Sequence, residues 1–360
     1  MKKSMIGAGL AFALVLGGCA TPPGQTTTAS PGGASATTAA TQSDYLACMV
    51  SDEGGFDDKS FNETTYKGMM DAKAQLGIQT KEVQSSTVAD YAKNVQAMVT
   101  AKCKTIVTVG YALGDATDKA AKANPDIKFA IVDFGYDKPA DNVKGLTFDT
   151  AQPSFLAGYL AASLSKTGTV GTYGGAPFPT VTSFMDGYAR GVDYYNQKKG
   201  KQVKVVGWNP ANKTGTFIPG NKFSDVAGGK QLAKNLISQG ADVILPVAGP
   251  ASEGGLQAAQ ESGGKVLSMW VDSDGYESMP KYRAVIPTSV GKAMDVAVLE
   301  AIKEAKDGTF SNKTYVGTLE NKGVYLAPFH DFDSKVPAET KAELEQLQRD
   351  IISGAVKVTG

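Results

Sequence analysis

The amino-acid sequence predicts an α/β protein built as two doubly wound parallel-sheet units. Three observations carry this. Apolar, β-rich runs alternate with helical patterns from about residue 45 onward. The alternation is complete by residue 150 and then begins again. About 317 residues follow from Asp44, a length that suits roughly two domains. Strands that read as near-continuous apolar runs belong to a parallel sheet covered by helices on both faces.

Tyr45–Val50 reads as the first strand. Ser60–Leu76 follows as a helix ended by Gly77, and Ile78–Val83 as a strand. Asp90–Lys102 places Tyr91, Val95, Met98 and Val99 on one helical face. Thr105–Val109 is a strand, Gly114–Ala123 a helix stopped by Pro125, and Lys128–Asp133 and Gly145–Phe148 are strands. In the second unit Ser154–Ser165 is a helix. Thr169–Tyr173, Val203–Trp208, Asp242–Val247 and Lys265–Val271 are strands, separated by helices near 181–198, 225–238 and 251–262. A later helix covers about 290–306, with Lys292 at its start. Val316–Leu326, broken by Asn321-Lys322-Gly323, is expected as a hairpin, and Pro337–Ser353 as a charged amphipathic last helix.

The front of the chain carries a different signal. Lys2 and Lys3 precede an apolar run, Met5–Leu16, of 12 residues. Crossing a bilayer takes about 20 apolar residues, so this run fits a signal peptide over 1–18. It ends in Leu16-Gly17-Gly18-Cys19, which resembles a lipobox and makes Cys19 the expected lipidation site. Residues 20–43 are uncharged and rich in Thr, Ala, Gly, Ser and Pro. Such a segment buries too little apolar surface to fold, so 19–43 reads as a lipidated cysteine and flexible linker.

Composition narrows the partners. Without Lys2 and Lys3 there are 34 basic residues against 36 acidic, a net charge of −2. That excludes the basic face nucleic acid requires and a polybasic membrane patch. The remaining cysteines, Cys48 and Cys103, fall on or beside neighbouring strands. An extracytoplasmic setting allows them a disulfide, with two buried free thiols as the alternative. Zinc spacing is absent, His330 is the one histidine, and no cofactor motif is present. A nucleophile elbow and a phosphate loop are absent as well, so an enzyme is the least supported reading.

In open parallel sheets, ligands bind beyond the carboxyl ends of strands. That rule selects Asp52, Asp133, Gly249 and Asp272, each at or just after an apolar strand. In Ser51–Asn62, Gly54-Gly55 lets the backbone bend toward a ligand, and Asp57, Asp58 and Ser60 can cap the helix that follows. Phe61 and Asn62 then lie in its first turn, at the cleft edge. Phe223 stands before the helix opening near Asp225. One aromatic from each unit could sandwich a flat ligand, with Trp208 and Phe217 as competitors for Phe223, and Phe178 and Phe184 as further lining. A lysine at a helix start opposes the helix dipole, so Lys292 is expected to partner a ligand or Asp272.

These blocks together resemble the basic membrane protein (BMP) lipoproteins. The resemblance rests on the lipobox, Asp52 with Asp57-Asp-Lys-Ser-Phe-Asn62, and Ser183-Phe-Met-Asp-Gly-Tyr188. It also rests on Gly240-Ala-Asp-Val-Ile-Leu-Pro-Val-Ala-Gly249, Val271-Asp-Ser-Asp274 and Thr288-Ser-Val-Gly-Lys292. Two features depart from the family pattern: Pro250 follows Gly249, and loop 209–222 is long. The resemblance implies a type I periplasmic-binding-protein fold with a ligand cleft between two lobes, expected as 44–150 plus about 273–315 and 151–272 plus about 316–360. It implies a purine nucleoside as ligand, stacked on Phe61 and Phe223. Asp52, Asn62 and Asp133 would bond the base, and Gly249, Asp272 and Lys292 the ribose. An ABC permease would be the partner of a monomer held by its lipid at the outer face of the cell membrane. A binding protein for another small solute is the alternative.

Overall fold

The computed structural model describes residues 43–359; the expected signal peptide, Cys19 and the linker up to residue 42 lie outside the described residues. The chain alternates β1 (Leu46–Ser51), α1 (Phe61–Leu76), β2 (Gln79–Val83), α2 (Tyr91–Thr100), β3 (Thr105–Val109), α3 (Gly114–Ala123), β4 (Lys128–Val132) and β5 (Val143–Phe148). It continues with α4 (Ala151–Leu164), β6 (Thr169–Gly174), α5 (Pro179–Lys199), β7 (Lys204–Val206), β8 (Trp208–Asn209) and β9 (Thr214–Gly215). Next come α6 (Val226–Ser238), β10 (Val243–Val247), α7 (Glu253–Glu261), β11 (Leu267–Ser268), β12 (Trp270–Asp272) and the single turn α8 (Gly275–Ser278). The last elements are β13 (Ser289–Lys292), α9 (Met294–Asp307), β14 (Tyr315–Gly317), β15 (Val324–Leu326) and α10 (Ala338–Ile352).

The first sheet has six parallel strands in the order β14-β5-β4-β3-β1-β2. β1, β3 and β4 are buried along almost their whole length, as continuous apolar runs require between two helical layers. α1 and α9 cover one face, setting Met69 and Met294 onto Met49, Val107 and Ala130. α2 and α3 cover the other, where Tyr91, Val95 and Met98 meet Ile106 and Phe129. In that second layer Cys48 and Cys103 form a disulfide, their Cα atoms 5.9 Å apart.

The second sheet runs β11-β10-β6-β7, all parallel. α4, α5 and α10 pack Leu160, Phe184, Tyr188 and Leu344 onto Val243 and Leu245. α6 presses Leu232 and Leu236 onto the opposite face, against Tyr173 and Ile244. The apolar stripe of α10, Leu344, Leu347 and Ile351, has the expected helical spacing.

Three expectations are corrected. Lys265–Val271 is not one strand: the chain steps at Met269, leaving β11 in the second sheet and β12 in a small sheet with β13 and β15. Lys292 ends β13 rather than opening a helix, and β13 pairs in parallel with β12. Val271 and Val290 share the core of the second sheet. Val316–Leu326 is not a hairpin. Its turn is present, with Asn321 Oδ1 accepting from Thr318 N and Gly323 N, but the flanking strands part company. β14 joins β5 in the first sheet, whereas β15 runs antiparallel to β13.

Candidate functional site

The strand ends of both sheets open on one cleft. Its wall includes all eight residues expected there: Asp52, Phe61, Asn62 and Asp133 from the first unit, Phe223, Gly249, Asp272 and Lys292 from the second and its junction. Phe178 and Phe184 line it too. Trp208 and Phe217 do not. Trp208 is buried, with Nε1 donating to Asp186 Oδ1 at 2.9 Å, and Phe217 packs edge-on to it above Gly174.

Asp52 follows β1, and its backbone N–H donates to Val109 O at the end of β3. Its carboxylate lies across Gly110. A Cβ at 110 would fall 2.1 Å from Asp52 Oδ2, and Gly110 has φ +116°, so glycine is required there twice over. Asn62 Nδ2 donates to Asp52 Oδ1 at 2.9 Å. The cap of α1 is Asp58, not Ser60: Asp58 accepts from the backbone N–H groups of Ser60, Asn62 and Glu63, each at 3.0 Å. This frees Ser60, whose Oγ donates to Asp272 Oδ2 at 2.9 Å. Trp270 Nε1 and Ser273 Oγ both donate to Lys59 O, at 3.3 and 3.0 Å. The loop before α1 is thus stapled to the end of β12.

Asp133 follows β4 and Asp272 ends β12, with φ of 63° and 72°. Left-handed backbone is uncommon outside glycine and clusters at functional sites. Both carboxylates meet Lys292, whose Nζ lies 2.7 Å from Asp133 Oδ2 and 3.0 Å from Asp272 Oδ1. The ammonium also sits 4.5 Å from the Phe61 ring centroid. Burial alone would lower the Lys292 pKa, but the two carboxylates outweigh it and hold the value above normal. Burial raises Asp133, against the opposing pull of Lys292. Asp52 lies well above the usual carboxylate range: burial pushes it up, Asn62 opposes, and Asp58 and Asp133 add to the rise. Burial likewise raises Asp58, against the three N–H bonds it accepts.

The aromatic groups form a column across the cleft. Tyr111 stacks on Phe178 at 5.1 Å and 28°, and Phe178 on Phe223 at 6.1 Å and 27°. Phe223 lies flat because residue 175 is glycine; a Cβ there would meet the ring at 2.4 Å. Tyr111 was missed in the sequence, although the strand-end rule applied to β3 finds it beside Gly110. Among the described residues, no cluster of His, Cys, Asp and Glu could hold a metal ion.

A cleft at facing strand ends, walled by rings and buried carboxylates, defines a two-lobed solute-binding protein of the type I periplasmic-binding-protein fold. Known proteins agree. A solute-binding protein of an ABC transporter system from Aeropyrum pernix superposes with a TM-score of 0.78 at 25% identity, covering 87% of this chain and 92% of its own. Basic membrane protein A1 of Borrelia garinii subsp. bavariensis is 30% identical over 85% of this chain and 86% of its own length. The ABC transporter nucleoside-binding protein BmpA of Lactococcus lactis subsp. cremoris is 28% identical over 99% of each. The family model for PnrA-like ABC transporter substrate-binding proteins matches residues 46–360. This chain belongs to that family, Bmp, whose members are substrate-binding proteins of ABC transporters and not enzymes.

Proposed function

We propose that this protein is a lipid-anchored, extracytoplasmic receptor that captures a purine nucleoside between its lobes and delivers it, as a monomer, to an ABC importer. The observation that carries the reading is the chemistry of the cleft wall. Phe61 and Phe223 offer flat faces, and five carboxyl side chains (Asp52, Glu53, Asp58, Asp133 and Asp272) stand against one lysine. Such a wall suits a flat, uncharged ligand rich in N–H and O–H donors and repels phosphate, so nucleosides fit where nucleotides do not. The name of the Lactococcus relative supports the same class. The lipobox at Cys19 supports the anchor.

Phe61 and Phe223 would stack on the base, with Asp52, Asn62 and Asp133 along its edge. Asp272, Lys292 and Gly249 would receive the ribose. Buried groups built to bond a hydroxyl are left unpaired by an analogue that lacks it. Titration calorimetry on refolded, ligand-free protein is the test. One-to-one binding of ribonucleosides is expected, with 2′-deoxy and 3′-deoxy analogues at least about tenfold weaker and the 5′-phosphates weaker still. Equal affinity for deoxy analogues would remove the role given to Asp272. Binding of sugars in place of nucleosides would replace the ligand class.

A further inference from the structure

Five rings form a continuous row across the cleft. On the first unit Tyr136 tilts against Phe134 at 4.8 Å, and Phe134 against Tyr111 at 5.1 Å. On the second, Phe178 stacks on Phe223 at 6.1 Å. The two halves meet where Tyr111 stacks on Phe178, at 5.1 Å and 28°. Among the described residues, no other ring pair joins the strand-end loops of the two units. All five rings are half-buried, as suits a rim rather than a core.

Each half is braced from behind. The Tyr136 hydroxyl donates to Gly114 O at 2.8 Å, and Phe134 lies on Gly114, where a Cβ would meet its ring at 2.6 Å. Phe178 stands between Pro177 and Pro179 with φ −77° and ψ 145°, the extended backbone that a following proline favours. Phe223 rests on Gly175, and its carbonyl accepts from Ala251 N at 2.8 Å. The units touch again beyond Asn62, where a Cβ at Gly54 would lie 3.4 Å from Pro250 Cγ. The row also adjoins the groups given to the base. Gly110, next to Tyr111, is crossed by the Asp52 carboxylate, and Phe178 backs onto Phe223.

We infer that Tyr111 and Phe178 set the size limit of the ligand. Their stack closes the base side of the cleft, admits a purine with small amino or oxo groups, and turns away one with a bulky group on that edge. This rests on the nucleoside reading and deepens it. A substituent projecting past Asp52 has to part the two rings. Because each ring is held by its own neighbours, neither yields alone, and the units themselves must stand apart. The ligand then loses the closed form that the stack helps to hold.

The test uses N6-benzyladenosine and N2-benzylguanosine, which carry one bulky group on the two amino positions that flank N1. Each is titrated beside its parent nucleoside into refolded wild-type protein and into Tyr111→Phe, Tyr111→Ala and Phe178→Ala. In the wild type, the derivative whose amino group faces the rings is expected to bind at least about tenfold more weakly than its parent, the size of an ordinary steric misfit. Tyr111→Phe keeps the ring and should keep that ratio. Tyr111→Ala and Phe178→Ala should each bring the ratio below about threefold, and stopped-flow should show the parent leaving about three- to tenfold faster, as loss of one aromatic contact predicts. A merely structural role would weaken parent and derivative alike; an unchanged ratio in both alanine variants would overturn the inference. Two benzyl derivatives that bind the wild type as tightly as their parents would overturn it too, while leaving the nucleoside reading in place. Failure of both parents to bind the refolded wild type would overturn the nucleoside reading and this inference with it.

Discussion

Asp133 and Asp272 meet a lysine; Asp52, on the same cleft wall, meets only the amide of Asn62. The two arrangements bury carboxylates by opposite means. In the first, Lys292 spans two strand ends and offsets one of the two carboxylate charges on the spot, with left-handed backbone at both aspartates. In the second, nothing cancels the charge, and a proton or a ligand must. The cluster tied together by Lys292 is therefore a fixed part of the frame, and the carboxylate without a cation is free to respond to what enters.

The sharpest way to break this contrast is Lys292→Met. It strands two buried carboxylates, and losing one partner of a buried ion pair costs about 3–5 kcal/mol. Urea denaturation should show a loss of that size, together with loss of nucleoside binding. A change below about 1 kcal/mol would mean that the lysine is as dispensable as an exposed one. The disulfide supplies a control that weakens the frame without touching either cluster. Cys48 and Cys103 are 55 residues apart in sequence, and a link across such a loop contributes about 4 kcal/mol. The Cys48→Ala/Cys103→Ala variant should lose about that much stability while its folded fraction keeps nucleoside affinity. Affinity falling in step with stability would show that site and frame are not separable.

The smallest effect concerns Asp52 in the free protein. Its folded-state pKa is raised, so the native state holds the proton more tightly than the unfolded chain. The stabilisation is fully present below the unfolded value of about 4 and is lost as pH rises through the folded value. Asp52→Asn removes that dependence. Its melting temperature should match wild type near pH 4 and exceed it by about 2–4 °C at neutral pH. A variant less stable than wild type at neutral pH would show that the carboxylate is compensated after all.

Much of this contrast was legible in the sequence, because the strand-end rule is local. Asp52, Asp133, Gly249 and Asp272 each close an apolar run, and Phe61 and Asn62 follow a capping block. What stayed hidden depends on distant partners. Ser289–Lys292 is too short to announce itself as a strand and becomes one only by pairing with β12 and β15. The turn at Asn321-Lys322-Gly323 was readable, but not that its two arms belong to different sheets. Trp208 looked as able as Phe223 to stack on a ligand until Asp186 claimed its N–H. The stacking of Phe178 between Tyr111 and Phe223 joins three loops that no spacing connects. The roles of the residues toward a base or a ribose came from family resemblance, since position alone names a site but not its guest.

The path of the chain has a consequence for how such a protein can change. After building the second sheet it returns to lay β14 beside β5, then crosses back to form β15 and α10. The first sheet is therefore not encoded by one continuous stretch of gene, and α10, which covers the second, lies far beyond that sheet's own strands. A recombination event that exchanged a single block would carry away part of one wall and orphan the rest. The two faces of the cleft must travel together through evolution, and new specificities must arise by substitution within them rather than by shuffling halves.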